Sequence, residues 1–338
     1  MKKLSFMNIG ITAIAVMAMI GCGNSGGDNT ASTTSGSTPT SGGNAKKLKI
    51  GISIPAADHG WTAGVKYWAE DEAKKHPDVE FDIQTADTPE KQITQLEAMA
   101  TNQVDGVVIL ATESAPVTPA VKKLKEQGIF ITNVDRGFTE DLADIFVAGD
   151  NKKFGRMSAE YMVKKLNGKG NILILEGIPC TVNTDRVEAA KEVFAKSPGI
   201  KILDSQSGMW NQDKAFTVTQ TLLTKHAQVD AIWAQDDDMA LGAEKALKAA
   251  GRDKNIWMLG GAGMKDIVKR VMDGDAMFPA DITYPPSMIA IGIKEAVTAL
   301  TGMTPEARKA WKLKNVDVPI DLIEPANAKD FYFPESIF

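Results

Sequence analysis

Six short stretches of this chain concentrate the side chains that could do chemistry. They are Ala57-Asp58-His59-Gly60-Trp61-Thr62, Asn133-Val134-Asp135-Arg136-Gly137, Val182-Asn183-Thr184-Asp185-Arg186, Gly208-Met209-Trp210-Asn211, Ala234-Gln235-Asp236-Asp237-Asp238 and Asp281-Ile282-Thr283-Tyr284. Aromatic rings, carboxylates, arginine and asparagine recur together in them. Flat rings cover apolar C–H faces, while carboxylate, amide and guanidinium groups make paired hydrogen bonds to adjacent hydroxyls. The mixture suits a neutral polyhydroxylated ligand.

Other chemistries find less support. No strand ends in a Gly-x-Ser-x-Gly elbow and there is no convincing acid and base pair, so no catalytic residue is assigned and the chain is read as a non-enzyme. His59, His76 and His226 are scattered, and Cys22 and Cys180 cannot form a disulfide framework, which argues against a metal site. The run Asp236, Asp237, Asp238 invites a divalent cation. Its plainer reading is one carboxylate facing the ligand and another capping the helix that follows, where negative charge is stabilising. Gly260-Gly261-Ala262-Gly263 is only loosely like a phosphate-cradling turn. No cofactor is expected. With 38 Lys and Arg against 43 Asp and Glu, the net charge is −5, which disfavours nucleic acid as a partner.

The elements that must position these residues alternate. Short apolar runs at Leu48 to Ile54, Val79 to Thr85, Val107 to Leu110, Ile129 to Asn133, Ile172 to Leu175, Ile202 to Ser205, Ala231 to Trp233 and Trp257 to Leu259 read as strands. Helical spacing lies between them, for example over Thr62 to Lys75, Lys153 to Leu166, Arg186 to Lys196 and Met239 to Ala250. Buried strands separated by helices predict parallel sheets covered on both faces, an α/β chain. At 338 residues the length fits two domains of roughly 100–200 residues. The strands are too many for one compact sheet, so two similar lobes are expected, with a midpoint near Gly149 to Asn151. Ligands of such sheets bind beyond the carboxyl ends of the strands, where the six stretches fall.

The amino terminus reads as an address. Lys2 and Lys3 precede an apolar run from Ile9 to Ile20 that is too short for a comfortable membrane span. Met19-Ile20-Gly21-Cys22 resembles the bacterial lipoprotein signal, in which cleavage precedes a cysteine that is then lipidated; Met19 stands where Leu is usual. Residues 1–22 are therefore expected to be a signal peptide with Cys22 lipidated, and the Gly, Ser, Thr and Asn-rich residues 23–45 a flexible tether. Cys180 is expected to be a buried, inert thiol.

Four segments carry a family resemblance: Lys49-Ile50-Gly51-Ile52-Ser53, Val104-Asp105-Gly106-Val107-Val108-Ile109, Asn133-Val134-Asp135-Arg136 and Ala234-Gln235-Asp236-Asp237-Asp238-Met239-Ala240-Leu241-Gly242-Ala243. From about Lys47 onward the chain resembles the ribose-binding-protein family, the substrate-binding components of sugar ABC transporters. The resemblance implies the type I periplasmic-binding fold, two Rossmann-like doubly wound lobes joined by a three-stranded hinge. It places residues 46–149 plus about 284–312 in the first lobe and 150–283 plus about 313–338 in the second, with crossings near Gly149 to Asp150, Thr283 to Pro285 and Leu313 to Val316.

It also implies a site. Asp135 and Arg136 match a pair that contacts sugar hydroxyls, and His59 and Trp61 match an aromatic region after the first strand. Trp210 matches an aromatic of the second lobe, and Asp236 stands where Asn is frequent. Asn183, Thr184 and Arg186 fall where a further polar contact is usual, and Thr283 where Gln is common. The chain departs from the family at Gly261 and Ala262, where an aromatic and an Asp are frequent. That departure speaks against ribose itself and leaves another pentose, a hexose or a linear polyol open.

The implied action is delivery of a monosaccharide or polyol to the membrane permease of a sugar ABC transporter, through closure of two lobes around the ligand. A monomer, lipid-anchored outside the cytoplasm, is expected. Two other classes compete with this reading. A repressor with this sensory fold needs a basic helix-turn-helix ahead of Lys46, where the signal and tether stand instead. A sensory binding protein presenting its ligand to a chemoreceptor or kinase is the main alternative.

Overall fold

A computed structural model describes residues 47–57, 60–304, 306–307 and 310–338. The signal peptide, the tether, Cys22 and His59 lie outside these residues. Apolar stretches flanked by turn residues give β1 (Leu48–Pro55), β2 (Val79–Ala86), β3 (Gly106–Ile109), β4 (Phe130–Val134) and β5 (Ile145–Gly149). Between them run α1 (Gly60–Lys74), α2 (Pro89–Thr101) and α3 (Ser114–Glu126). In β1, Ile50, Ile52 and Ile54 on one face and Gly51 and Ser53 on the other are all buried, the pattern of a strand covered on both faces.

The rhythm continues through α4 (Asn151–Lys165), β6 (Gly170–Glu176), α5 (Thr181–Ala195), β7 (Ile200–Ser207), α6 (Gln212–Lys225), β8 (Ala231–Trp233), α7 (Asp237–Ala249), β9 (Trp257–Leu259), α8 (Lys265–Met272) and β10 (Asp281–Ile282). Polar side chains start several of these helices. Asp150 Oδ1 accepts from Lys153 N, Asn211 Oδ1 from Lys214 N and Asp236 Oδ1 from Met239 N, each satisfying a helix-terminal N–H. The chain ends with α9 (Met288–Gly302), β11 (Lys314–Val318) and β12 (Leu322–Ile323).

Two sheets result. The first runs β2-β1-β3-β4-β5-β11 and the second β7-β6-β8-β9, with every pairing in both parallel. In each, the first strand of the lobe sits inside the second and beside the third, so the order reverses next to it. That reversal opens a crevice at the carboxyl ends of the strands. The two-lobed α/β reading of the sequence therefore stands in the structure. β10 and β12 pair antiparallel, Asp281 with Ile323 and Ile282 with Leu322, as a small separate ribbon.

The crossings differ in one place from the sequence reading. The first follows Gly149 and the second spans Thr283 to Ser287, where α9 goes on to pack against β3, β4, β5 and α1. The third does not lie near Leu313 to Val316. Lys314 to Val318 pairs in register with Ile145 to Gly149, so β11 completes the first sheet and the chain crosses only after Val318. This edge strand is largely exposed and polar, without the apolar run that marks the others.

Candidate functional site

Strand ends bring the site together through unusual backbone. Asp135 directly follows β4 with φ of 65°, Gln235 follows β8 with φ of 54°, and Ala262 follows β9 with φ of 114°. Left-handed conformations are costly for residues with a Cβ and persist where surrounding structure enforces them. Here they turn the chain sharply at the mouth of each sheet. Close helix approach helps as well: a Cβ at Gly155 of α4 would collide with Arg186 O of α5, so glycine lets α5 lie where Arg186 can enter the cleft. Gly177, after β6, likewise leaves room for the indole of Trp210.

Trp61, Asp135, Arg136, Val182, Arg186, Trp210, Gln235, Asp236, Ala262 and Tyr284 line a narrow cavity between the lobes. The charged members are deeply buried, Asp135 and Arg136 at 3% exposure, Arg186 at 4% and Asp236 at 6%. Two carboxylates thus face two guanidinium groups.

Each charge is held by named partners. Asp135 Oδ1 accepts from Tyr284 Oη at 2.6 Å, and its Oδ2 lies 3.6 Å from Arg136 Nε. One terminal nitrogen of Arg136 donates to Ala111 O at 2.9 Å and Thr112 O at 3.0 Å, with the guanidinium carbon 5.1 Å from the centre of the Trp210 ring. Arg186 donates to Asn151 Oδ1 and Gln235 O, both at 2.9 Å, and lies between the rings of Phe154 and Tyr284 at 3.8 and 4.4 Å. Burial raises the carboxyl of Asp135 above its ordinary range despite Arg136 and Tyr284, and raises Asp236 well above it, with Asp238 adding repulsion. Burial also lowers Arg186 and pushes the Tyr284 phenol well up. Arg136 Nε and both amide atoms of Gln235 are buried with no hydrogen-bond partner among the described residues.

Bonds across the cleft draw the lobes together. Gly137 N donates to Thr181 Oγ1 at 2.8 Å, Thr181 N to Ser114 Oγ at 3.2 Å, and Trp61 N to Asp238 Oδ2 at 3.4 Å. Trp61 Nε1 donates to Tyr284 O at 2.8 Å, fixing the indole against the second crossing.

Of the residues singled out in the sequence, Trp61, Asp135, Arg136, Arg186, Trp210 and Asp236 come together at this cavity. Asn183, Thr184 and Thr283 do not line it. α5 begins at Thr181, so Val182 and Arg186 share the cavity face while the residues between them turn away. Asn183 instead accepts from Gly177 N at 2.8 Å, and Thr184 Oγ1 donates to Cys180 O at 3.2 Å. Thr283 Oγ1 accepts from Asp321 N at 2.9 Å, and the next residue, Tyr284, faces the cleft. Gln235, Tyr284, Val182 and Ala262 were missed as site residues, although the first three belong to quoted strand-end stretches. Asp236 caps α7 and lines the cavity, so one carboxylate combines the two roles expected of separate ones. Asp237 turns inward and accepts from Gly261 N and Met264 N at 2.9 and 2.8 Å. Cys180 is buried, with its thiol pushed up by desolvation. No group of three or more His, Cys, Asp or Glu able to hold a metal is present among the described residues.

Two lobes of like topology, enclosing a polar cavity at their strand ends, define a cleft-type solute-binding protein. The periplasmic binding protein domain family matches residues 50–304, and the chain belongs to that family, in its ribose-binding-like, type I branch. A D-ribose/D-allose-binding protein of Pseudomonas aeruginosa is 30% identical over 266 residues, covering 77% of this chain and 82% of that protein. The fructose-binding periplasmic domain of a hybrid two-component system superposes with a TM-score of 0.76 at 26% identity, over 84% of this chain and 93% of that one. An ABC transporter solute-binding protein from Bacillus halodurans, solved with myo-inositol, shares the fold with a TM-score of 0.78 at 23% identity, over 86% and 99% of the two chains. The relatives are binding proteins, and this chain is a binding protein rather than an enzyme.

Proposed function

We propose that the protein captures a neutral sugar or polyol outside the cytoplasm and delivers it to the permease of an ABC transporter, tethered to a membrane through lipidated Cys22. The observation that carries this reading is the lining of the cavity itself: Trp61 and Trp210 supply flat rings, and the buried Asp135, Asp236, Arg136 and Arg186 supply planar groups able to pair with adjacent hydroxyls. Hydroxyl groups both donate and accept, so they suit Arg136 Nε and the Gln235 amide. Two lobes that meet only when both are satisfied convert binding into closure, and closure is what a permease reads.

Relatives named for ribose and allose support the sugar class, and the neighbour from a two-component system favours sensing as the second reading. A thermal-shift screen against pentoses, hexoses, tetritols, pentitols, hexitols and inositols tests the ligand class, because a ligand of the native state alone raises the melting temperature. A selective shift is expected. No shift across the panel would overturn the neutral-sugar reading. Ligand-dependent uptake into vesicles carrying the cognate permease would then separate transport from sensing.

A further inference from the structure

We propose that the last eight residues form a latch, a fourth and non-covalent connection between the lobes that holds them together. Past β12 the chain makes a short turn at Ala328–Asp330 packed against α8, and Phe331 and Tyr332 rest on the core of the second lobe. The chain then returns. Lys265 Nζ, on α8, donates to Ser336 O at 2.7 Å, and two residues later Phe338 is buried at 6% exposure. It lies over α1 of the first lobe, where a methyl group at Gly64 would stand 3.5 Å from Phe338 Cβ.

The tail thus starts on one lobe and ends in the other. Phe333, Ser336 and Phe338 of the tail wall a groove together with Tyr67 and Trp68 of α1, Pro286 of the second crossing and Ile323 of β12. Ala262 lines both this groove and the ligand cavity, so the tail backs the floor of the site. Burying one aromatic side chain and one charged hydrogen bond across a hinge stabilises the arrangement in which both lobes are within reach of the tail. Opening the cleft by rotation about the crossings would pull Phe338 from α1 or Ser336 from Lys265.

This latch rests on the closure reading but not on what the cleft binds. Its test is hydrogen exchange of the full chain with no ligand added, comparing the natural protein with Phe338→Ala and with a chain ending at Tyr332. The reporters are the amides of Gly137 and Thr181, which donate across the cleft. Both variants are expected to exchange at these amides about ten-fold faster or more, with β1 and β6 protected as before. Unchanged exchange at Gly137 and Thr181 would overturn the latch and leave the tail a surface cover. Faster exchange throughout both sheets would also overturn it, making the tail part of the general core. A failed ligand screen would leave this result untouched.

Discussion

The hydroxyl of Tyr284 donates to Asp135 Oδ1 at 2.6 Å, fastening the second crossing to the end of β4. The same hydroxyl accepts from Asn151 Nδ2 at 3.0 Å, at the start of the second lobe. One phenol therefore ties both lobes to the segment that joins them.

Tyr284→Phe keeps the ring and removes these two bonds. A hydrogen bond to a buried carboxylate contributes about 1.5–3 kcal/mol, so a loss of that size in unfolding free energy is expected. The urea midpoint with an unchanged slope measures it. No change in midpoint would mean that the hydroxyl is not a structural tie.

Asp135→Ala bears on the cleft directly. With Oδ2 left for a hydroxyl in a dry site, the variant is expected to lose at least about 2 kcal/mol of affinity for whichever panel ligand binds. Calorimetry gives the dissociation constant, and circular dichroism checks the fold. An unchanged constant removes Asp135 from the site.

Asp281 gives a pH signature. Its carboxyl is pushed up to about 7, chiefly by burial, and Asp237 beside it is raised as well, with the charge of Asp281 as a second cause. An unfolded Asp titrates near pH ~3.9. The folded state therefore holds the proton more tightly. This contribution to stability is fully present below about pH 4 and is lost as pH rises through about 7. Melting temperatures from pH 4 to 8 are expected to fall less steeply for Asp281→Asn than for the natural chain. Parallel curves would place the proton elsewhere.

Cys22→Ser tests the anchor. The variant is expected to leave the membrane fraction while binding the same panel ligand unchanged. Retention on membranes after a high-salt wash would refute lipidation at Cys22.

Legibility of the site followed its physical causes. Asp135, Arg136 and Asp236 are legible because each closely follows an apolar strand, and in a parallel sheet that position faces the ligand crevice; Trp210 holds the same place after the more polar β7. Thr283 and Tyr284 differ by one residue in an extended segment whose neighbours alternate between faces, and no apolar pattern fixes which faces inward. Gln235 enters through a left-handed backbone that a single sequence does not announce. β11 escaped notice for the opposite reason to β1: it is a polar edge strand whose place is set by pairing with β5.

The discontinuity of the first lobe sets an order of events. Its sheet lacks β11, and its core lacks α9, until some 300 residues have been made, whereas α4 to β9 of the second lobe follow one another without interruption. Contacts distant in sequence form slowly because a long loop must close first. The second lobe can assemble as a unit on its own strands, while the first stays incomplete and exposes its apolar strands until the carboxyl-terminal segment arrives. Truncations that remove α9 or β11 therefore endanger the lobe that begins the chain.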